Sequence, residues 1–170
     1  MWVCSVLQGR LLIDGEHSIE RCAEVTEAVL HEVFNALLGQ RVVLEHIVLK
    51  PSMVMPGKAH ARQAAPDDVA AHTLRVPRRC VPAAVASINF LSGGQTPPQA
   101  TVNLDAMNRC GAQPWPLSFS YGRALLDPAL KAWGGRADQV RSGQAALLKR
   151  ARLNGAACIG RYQATMETSD

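Results

Sequence analysis

The sequence alternates between two hydrophobic periods, and this alternation constrains the fold more than any other feature. Four short apolar runs have the length of buried strands, at residues 2–7, 42–49, 85–91 and 117–120. Five stretches carry apolar residues three and four positions apart, as amphipathic helices do, at residues 18–38, 65–74, 97–109, 124–133 and 138–158. Pro77 is expected to end the second helix. The order predicts an α/β fold with about four parallel strands, and the continuous apolar strands indicate helices on both faces of the sheet.

The chain is long and apolar enough to fold as one domain. Its 170 residues are 48% hydrophobic and 19% charged, so we expect a single domain over residues 1–170 with a frayed tail at about 163–170. No apolar run approaches the roughly 20 residues that span a bilayer, and the start lacks the basic leader of a secretory signal. These features predict a soluble cytoplasmic protein with no membrane partner.

Charge and metal-ligand patterns argue against two further classes. The net charge is +4, but no basic run is interleaved with aromatic residues, so nucleic-acid binding is not expected. Residues 149–152 are instead predicted to form a solvated basic helix face. The five cysteines include no CxxC pair, and the five histidines include no HExxH motif. We therefore expect buried free thiols, no metal and no cofactor.

Lys50 is the first candidate for chemistry. Ligands of parallel β/α folds bind at the carboxyl ends of strands, and Lys50 follows the apolar run at residues 42–49 directly. Partial burial would disfavour the charged ammonium and free the amine as a nucleophile, which is the chemistry of Schiff-base formation with a ketone. A lysine at a strand end can also extend its ammonium to water without a chemical role, and position alone favours that simpler interpretation.

Two glycine-containing loops follow the third and fourth predicted strands. Ser92, Gly93 and Gly94 can turn backbone N–H groups toward an anion, with a hydroxyl beside them. Gly122 and Arg123 add a cation near the start of a helix. Together they resemble the phosphate site formed after the last two strands of a (β/α)₈ barrel. Two ordinary tight turns with a surface arginine would give the same pattern.

Five segments carry a resemblance to a known family. They are Ile-Asp-Gly-Glu-His at 13–17, Leu-Lys-Pro-Ser-Met-Val at 49–54, Phe-Leu-Ser-Gly-Gly-Gln at 90–95, Phe-Ser-Tyr-Gly-Arg-Ala-Leu at 119–125 and Lys-Ala-Trp-Gly-Gly at 131–135. In this order and near this spacing they resemble class I fructose-bisphosphate aldolase. The resemblance implies the C-terminal half of a (β/α)₈ TIM barrel. It also implies cleavage of fructose 1,6-bisphosphate to dihydroxyacetone phosphate and glyceraldehyde 3-phosphate in glycolysis.

The resemblance also implies roles for individual residues. Carried over position by position, it makes Lys50 the Schiff-base lysine. It assigns the substrate phosphate to a second set of residues, namely Leu91, Ser92, Gly93, Gly122 and Arg123. The implied partner is therefore a sugar phosphate.

The chain departs from the family in its acid/base chemistry and in its length. Gln8 stands where the family has a catalytic carboxylate, and a glutamine amide cannot exchange a proton near neutral pH. The resemblance covers only the second half of a barrel that needs about 250 residues, and the other half would supply further acid/base and phosphate-binding groups. We therefore expect a truncated, divergent aldolase-family lyase with negligible activity of its own. The alternative is a catalytically inactive fragment that acts at most as a binding or assembly module, and an open half-barrel is expected to self-associate.

Overall fold

The computed structural model describes residues 5–9 and 12–168. Strands and helices alternate along the chain as β1 (Ser5–Gly9), α1 (Ile19–Gly39), β2 (Ile47–Pro51), α2 (Pro66–Cys80), β3 (Ser87–Phe90), α3 (Pro97–Arg109), β4 (Leu117–Phe119), α4 (Arg123–Trp133) and α5 (Val140–Ala157). The strands form one parallel sheet in the order β1-β2-β3-β4. The predicted α/β class and the four parallel strands are confirmed.

One face of the sheet carries an apolar row across all four strands. Leu7 lies opposite Leu49, Leu49 opposite Ile88, and Ile88 opposite Leu117. Residues directly opposite each other in a ladder share a face, so these four side chains form one band. They join the hydrophobic core that the helices complete.

The opposite face of the sheet is open in the described part of the chain. Gln8 lies opposite Lys50 and Val6 opposite Val48 on this face, and Val6 is 63% exposed. The helices contact one another in chain order, α1 with α2, α2 with α3 and α3 with α5, and this single layer covers the apolar face. The expectation of helices on both faces is therefore wrong, because the helices pack on one face and the other, which carries Gln8 and Lys50, has no covering layer in the described residues.

Side-chain caps fix where two of the helices begin. The Ser18 hydroxyl accepts a hydrogen bond from Arg21 N at 3.3 Å at the start of α1, and the Thr96 hydroxyl accepts one from Gln99 N at 3.3 Å at the start of α3. Each cap satisfies an N–H group that the helix itself leaves unpaired. Both caps lie in segments that follow a strand, so they hold those segments at the carboxyl end of the sheet.

The helix α2 runs three residues beyond Pro77, so the prediction that this proline ends it is wrong. A proline in the last turn removes a single N–H group. Other bonds close the turn: Val81 N donates to Pro77 O at 2.8 Å, and Cys80 Sγ donates to Val76 O at 3.0 Å. Pro77 is also buried, so its ring packs in the core.

The strands are displaced from the predicted apolar runs. β2 begins at Ile47 because residues 44–46 form a 3₁₀ turn, and β3 begins at Ser87 because Val85 N bonds back to Pro82 O at 3.1 Å. β1 extends to Gly9, past the predicted end at residue 7, while residues 2–4 lie outside the described residues. The apolar runs located each strand approximately, but they did not define the residues at which its hydrogen-bonded ladder begins and ends.

The segment from residue 163, expected to be frayed, forms a 3₁₀ turn at Ala164–Glu167. Arg150 Nη1 donates to both Glu167 carboxylate oxygens at 2.7 and 2.6 Å, and the Tyr162 hydroxyl donates to one of them at 2.9 Å. Arg150 Nη2 donates to Pro97 O at 3.0 Å at the start of α3. Arg150 is only 5% exposed, so residues 149–152 are not a uniformly solvated basic face, and Arg150 fastens the tail to α3.

The described cysteines differ in burial, although all were expected to be buried. Cys22 and Cys80 are buried free thiols and Cys158 is half-buried, but Cys110 is exposed; Cys4 lies outside the described residues. Burial raises the pKa of the Cys80 thiol to about 11, with the nearby Glu27 charge as a second cause. Across residues 5–9 and 12–168, the helices include none with the length and apolar character needed to cross a membrane.

Candidate functional site

The loops after three of the strands begin side by side at one edge of the sheet. Ser52 N donates to Gly9 O at 3.1 Å, and Leu91 N donates to Pro51 O at 3.0 Å. Ser120 N donates to the carbonyl of the last β3 residue at 2.8 Å. These bonds extend the parallel ladders past the strand ends. The structure therefore brings the Lys50 strand and both predicted loops to the edge where ligands of β/α folds bind.

Lys50 stands in a polar row on the open face of the sheet. Gln8 lies opposite it on β1. Continuing the β2–β3 register by one residue places Lys50 opposite Asn89, which in turn lies opposite Ser118. Lys50 is half-buried, and it forms no ion pair within the described part of the chain. Its amine is thus accessible from the open face, with neutral polar side chains on either side.

Gln8 is exposed, and its amide is next to the Lys50 position. Neighbouring parallel strands lie about 4.8 Å apart, so a carboxylate at residue 8 would reach the lysine or a ligand attached to it. The amide can donate and accept hydrogen bonds but cannot take up or release a proton near neutral pH. The structure therefore places residue 8 beside Lys50, and the glutamine there cannot act as an acid or base.

The first glycine loop is fixed by a buried glutamine. Gln95 N and Gln95 Nε2 both donate to Ser92 O, at 3.0 and 2.9 Å, and Gln95 Oε1 accepts from Asn103 Nδ2 at 2.7 Å. Ser92 and Gln95 are buried. Gly93 and Gly94 have φ angles of 58° and 90°, a backbone region that side chains other than glycine disfavour. The loop is therefore anchored in the core at both ends, and its turn requires glycine.

The second loop is fixed by a buried tyrosine. The Tyr121 hydroxyl donates to Ala100 O in α3 at 2.8 Å. Its ring packs in the core, and burial raises its pKa above the ordinary value. Because α3 directly follows the first glycine loop, this bond ties the two loops to one helix.

Gly122 and Arg123 begin α4 beside this tyrosine. Gly122 O accepts from Leu125 N at 3.1 Å and from Leu126 N at 2.9 Å, which makes Gly122 the N-cap of the helix. Arg123 is the first helical residue and is exposed. Its guanidinium forms no ion pair with any other described residue. A helix N-terminus and a free guanidinium together favour an anion at this point.

Two residues of the site were missed in the sequence. Asn89 shares the open face with Lys50, and Gln95 holds the first glycine loop. The signal for Asn89 was a polar residue inside the apolar run at 85–91. Gln95 completes the Ser-Gly-Gly-Gln segment, but only the structure reveals that its side chain is turned inward.

The structure also contains two cavities. One of about 550 Å³ lies between α5 and the 3₁₀ turn Ala164–Glu167, and its lining includes Leu148 and Met166. The other, of about 360 Å³, is lined by residues that include His60 and His72. Neither is lined by Lys50 or by the two glycine loops, so neither is part of the candidate site.

Comparison with known proteins gives a consistent family match. The model of the family described as fructose-bisphosphate aldolase class-I matches residues 2–170. The chain is 48% identical over 159 residues to the cytosolic fructose-bisphosphate aldolase 4 of Arabidopsis thaliana, covering 93% of this chain and 40% of that protein. It is also 48% identical over 162 residues to the chloroplastic fructose-bisphosphate aldolase 1 of Chlamydomonas reinhardtii, covering 95% of this chain and 43% of that protein.

A solved structure shares the fold. It is the fructose-bisphosphate aldolase of Plasmodium falciparum, in complex with TRAP and a small-molecule inhibitor, at a TM-score of 0.92 and 43% identity. The alignment covers 94% of this chain and 46% of that one. The chain therefore spans less than half the length of the relatives it matches, and its four strands correspond to half of a barrel.

Proposed function

The chain belongs to the class I fructose-bisphosphate aldolase family, and we propose that it binds a ketose phosphate and forms a Schiff base with it at Lys50. The phosphate group would be held by Ser92, Gly93, Gly122 and Arg123, with Leu91 at the start of the first glycine loop. The substrate class is that of the family, fructose 1,6-bisphosphate and its ketone product dihydroxyacetone phosphate.

The strongest support is the hydrogen bond from Leu91 N to Pro51 O at 3.0 Å. It joins the residue that follows Lys50 to the first residue of the glycine loop. A ketose phosphate with its phosphate on that loop would present its carbonyl carbon toward the Lys50 strand. Because the loop is anchored in the core, it holds this arrangement before the ligand arrives, which lowers the entropic cost of binding.

The proposed chemistry begins with attack of the Lys50 amine on the ketone carbon. Protonation of the adduct's hydroxyl group and loss of water give a protonated imine, which withdraws electrons from the neighbouring carbon. In fructose 1,6-bisphosphate the C3–C4 bond can then break: its electron pair moves toward the imine, and the C4 hydroxyl proton passes to a base. The aldehyde leaves as glyceraldehyde 3-phosphate.

Gln8 limits how far this sequence of steps proceeds. General acid/base catalysis is worth about 10² to 10⁴ in rate, and the amide at residue 8 supplies none of it. We propose that the 170-residue chain stops at the Schiff base and that its net cleavage is negligible. This favours a second candidate function, a ketose-phosphate binding module without turnover, for which Gln8 is the specific observation.

Borohydride trapping tests the Schiff base. Incubation with dihydroxyacetone phosphate and borohydride, followed by peptide mapping, should label Lys50 alone. Lys50→Ala should abolish the label, while Lys131→Ala, at an exposed lysine on α4, should leave it unchanged. Equal label on several lysines, or none on Lys50, would overturn the proposal.

A phosphate titration followed by NMR of the backbone amides tests the binding loops. A single phosphate group should bind at about millimolar strength, or roughly −4 kcal/mol. Arg123→Ala should abolish the shifts of Gly93 and Gly122, and Arg123→Lys should restore them in part, because an ammonium lacks the planar fork. Shifts confined to Lys149 and Arg152 would mean nonspecific charge attraction and a wrong site.

We also propose self-association and a cytosolic location. β1 and β4 each have one strand neighbour in the sheet, and the open polar face lacks a covering layer in the described residues. Unpaired strand edges promote association. Size-exclusion chromatography should give species larger than the 18.3 kDa chain, and a monodisperse species of that mass with a cooperative denaturant transition would contradict this. The cytosolic relatives support the location, which cell fractionation tests against the organelle location of the chloroplastic ones.

A further inference from the structure

Lys58 carries an ammonium group to the first glycine loop. Its Nζ lies 3.3 Å from the point where a Cβ on Gly94 would stand. The same point is 3.5 Å from the Cδ1 atom of the buried Ile13 side chain. A glycine at residue 94 thus leaves room for the lysine chain to lie over the loop. Lys58 is eight residues after Lys50, and its sequence position alone does not connect it with the phosphate site.

The backbone around Lys58 is held in place. Residues 57–59 pair with residues 13–17 through three backbone hydrogen bonds of 2.7, 2.8 and 2.9 Å. A Cβ on Gly57 would lie 2.2 Å from Gly15 O, so only glycine permits this close approach of the two segments. The fold therefore fixes the Lys58 main chain, and only the flexible side chain has to change conformation to contact a ligand.

The ion pair that Lys58 forms with Asp14 is weak. Its Nζ lies 3.9 Å from Asp14 Oδ1, and the two side chains are 58% and 76% exposed. Exposed pairs at such a distance contribute little to stability, since their mutual attraction is screened by water. A phosphate dianion carries more charge than one carboxylate and offers three oxygens. The ammonium can therefore exchange its contact with Asp14 for one with a phosphate bound at the loop.

We propose that Lys58 is a second cation of the phosphate site, acting on the glycine loop together with Arg123, and that Asp14 competes with the phosphate for it. This inference rests on the proposed function, because it assumes that phosphate binds to the Ser92–Gly94 loop. It assigns Lys58 to phosphate binding and gives it no part in the Schiff-base chemistry.

The test is a titration with inorganic phosphate at low ionic strength, followed by the amide shifts of Gly93 and Gly94 in the full chain. Lys58→Ala should weaken binding by about fivefold, the loss of one exposed charge-assisted bond. Asp14→Asn should tighten binding by roughly twofold, because the competing carboxylate is gone. Lys131→Ala, which removes a lysine outside both loops, should leave the affinity unchanged.

The outcomes separate this inference from the proposed function. Binding that is lost in Arg123→Ala but unaltered in Lys58→Ala leaves the phosphate site in place and overturns the role of Lys58. Weaker binding in Asp14→Asn overturns the competition, because it would make Asp14 a support for the site. If the parent chain gives no shift at Gly93 or Gly122, the proposed function itself fails. An unchanged spectrum of the free variants away from residues 13–17 and 57–59 confirms that their fold is intact.

Discussion

The two ends of the site are built in opposite ways. At the β3–β4 end, both glycine loops are anchored in the core, by the inward-turned Gln95 and by the Tyr121 hydroxyl bound to α3. At the β1 end, Gln8 lies on an exposed edge strand whose main support is its ladder with β2. The first end carries the proposed phosphate contacts, and the second carries Gln8, at the position where we expect an acid/base group.

This difference indicates which part of the site can change without a loss of folding free energy. Changes at the buried residues of the glycine loops, such as Ser92 and Tyr121, disturb hydrogen bonds and packing, so they cost folding free energy as well as binding. A change at residue 8 alters an exposed side chain and leaves the fold untouched. A carboxylate and an amide at residue 8 are thus compatible with the same fold, so the fold alone does not indicate whether an acid/base group is present there.

The largest contrast should come from removing one apolar side chain at each end. Phe90 is 1% exposed and Val6 is 63% exposed. Phe90→Ala should lower the free energy of unfolding by about 3–5 kcal/mol, from lost burial and a cavity, while Val6→Ala should change it by less than about 0.5 kcal/mol. Denaturant unfolding at one fixed protein concentration measures both. Equal effects would mean that the edge strand is as well packed as the loops.

A smaller effect is expected for the hydrogen bond that ties the second loop to α3. Tyr121→Phe keeps the ring and removes only the bond to Ala100 O, which should cost about 1–2 kcal/mol. Hydrogen exchange of the Gly122 amide should accelerate at the same time, because the loop loses its anchor. Unfolding and exchange identical to the parent chain would show that ring packing alone holds the loop.

Alkaline pH should weaken two parts of the fold in sequence. Burial raises the pKa of the Cys80 thiol, near the α1–α2 side, to about 11, and burial followed by the Glu167 contact raises the pKa of the Tyr162 hydroxyl, on the tail side, to about 12. Both groups fold in their protonated form. Their contributions are therefore complete below the ordinary pKa values of 9.0 and 10.0 and are lost as pH rises through the folded values.

Melting temperature should accordingly fall first between about pH 9 and 11 and continue to fall to about pH 12. Cys80→Ala should flatten the first part of this decline, and Tyr162→Phe the second. A melting temperature that stays constant across the range from about pH 9 to 12 would contradict the assignment of both groups.

The smallest effect on stability is expected at Gln8. Gln8→Glu should change the free energy of unfolding by less than about 0.5 kcal/mol, because the side chain is exposed. Leu7→Ala, one residue earlier but on the apolar face, is the matched control and should cost more, about 1–2 kcal/mol for a half-buried leucine. Denaturant unfolding compares the two variants. A loss in Gln8→Glu as large as that in Leu7→Ala would show that residue 8 supports the fold.

The sequence predicted the β/α order and the three site segments, because apolar period and glycine spacing are local signals. It placed helices on both faces of the sheet, since the single polar residues that open one face, such as Asn89, hardly interrupt an apolar run. It described residues 149–152 as a solvated face because the partner of Arg150, Glu167, lies 17 residues away. Contacts between residues far apart in the chain, including that of Lys58 with the glycine loop, produce no periodic pattern in the sequence from which they could be predicted.

Cleavage by the parent chain tests most directly whether the reaction stops at the Schiff base. The measurement is the rate of triose phosphate release from fructose 1,6-bisphosphate, compared with that of Lys50→Ala at equal protein concentration. We expect the two rates to be indistinguishable, because Gln8 supplies no acid/base group. A parent rate clearly above that of Lys50→Ala would contradict the proposal that the chain forms the Schiff base without completing cleavage.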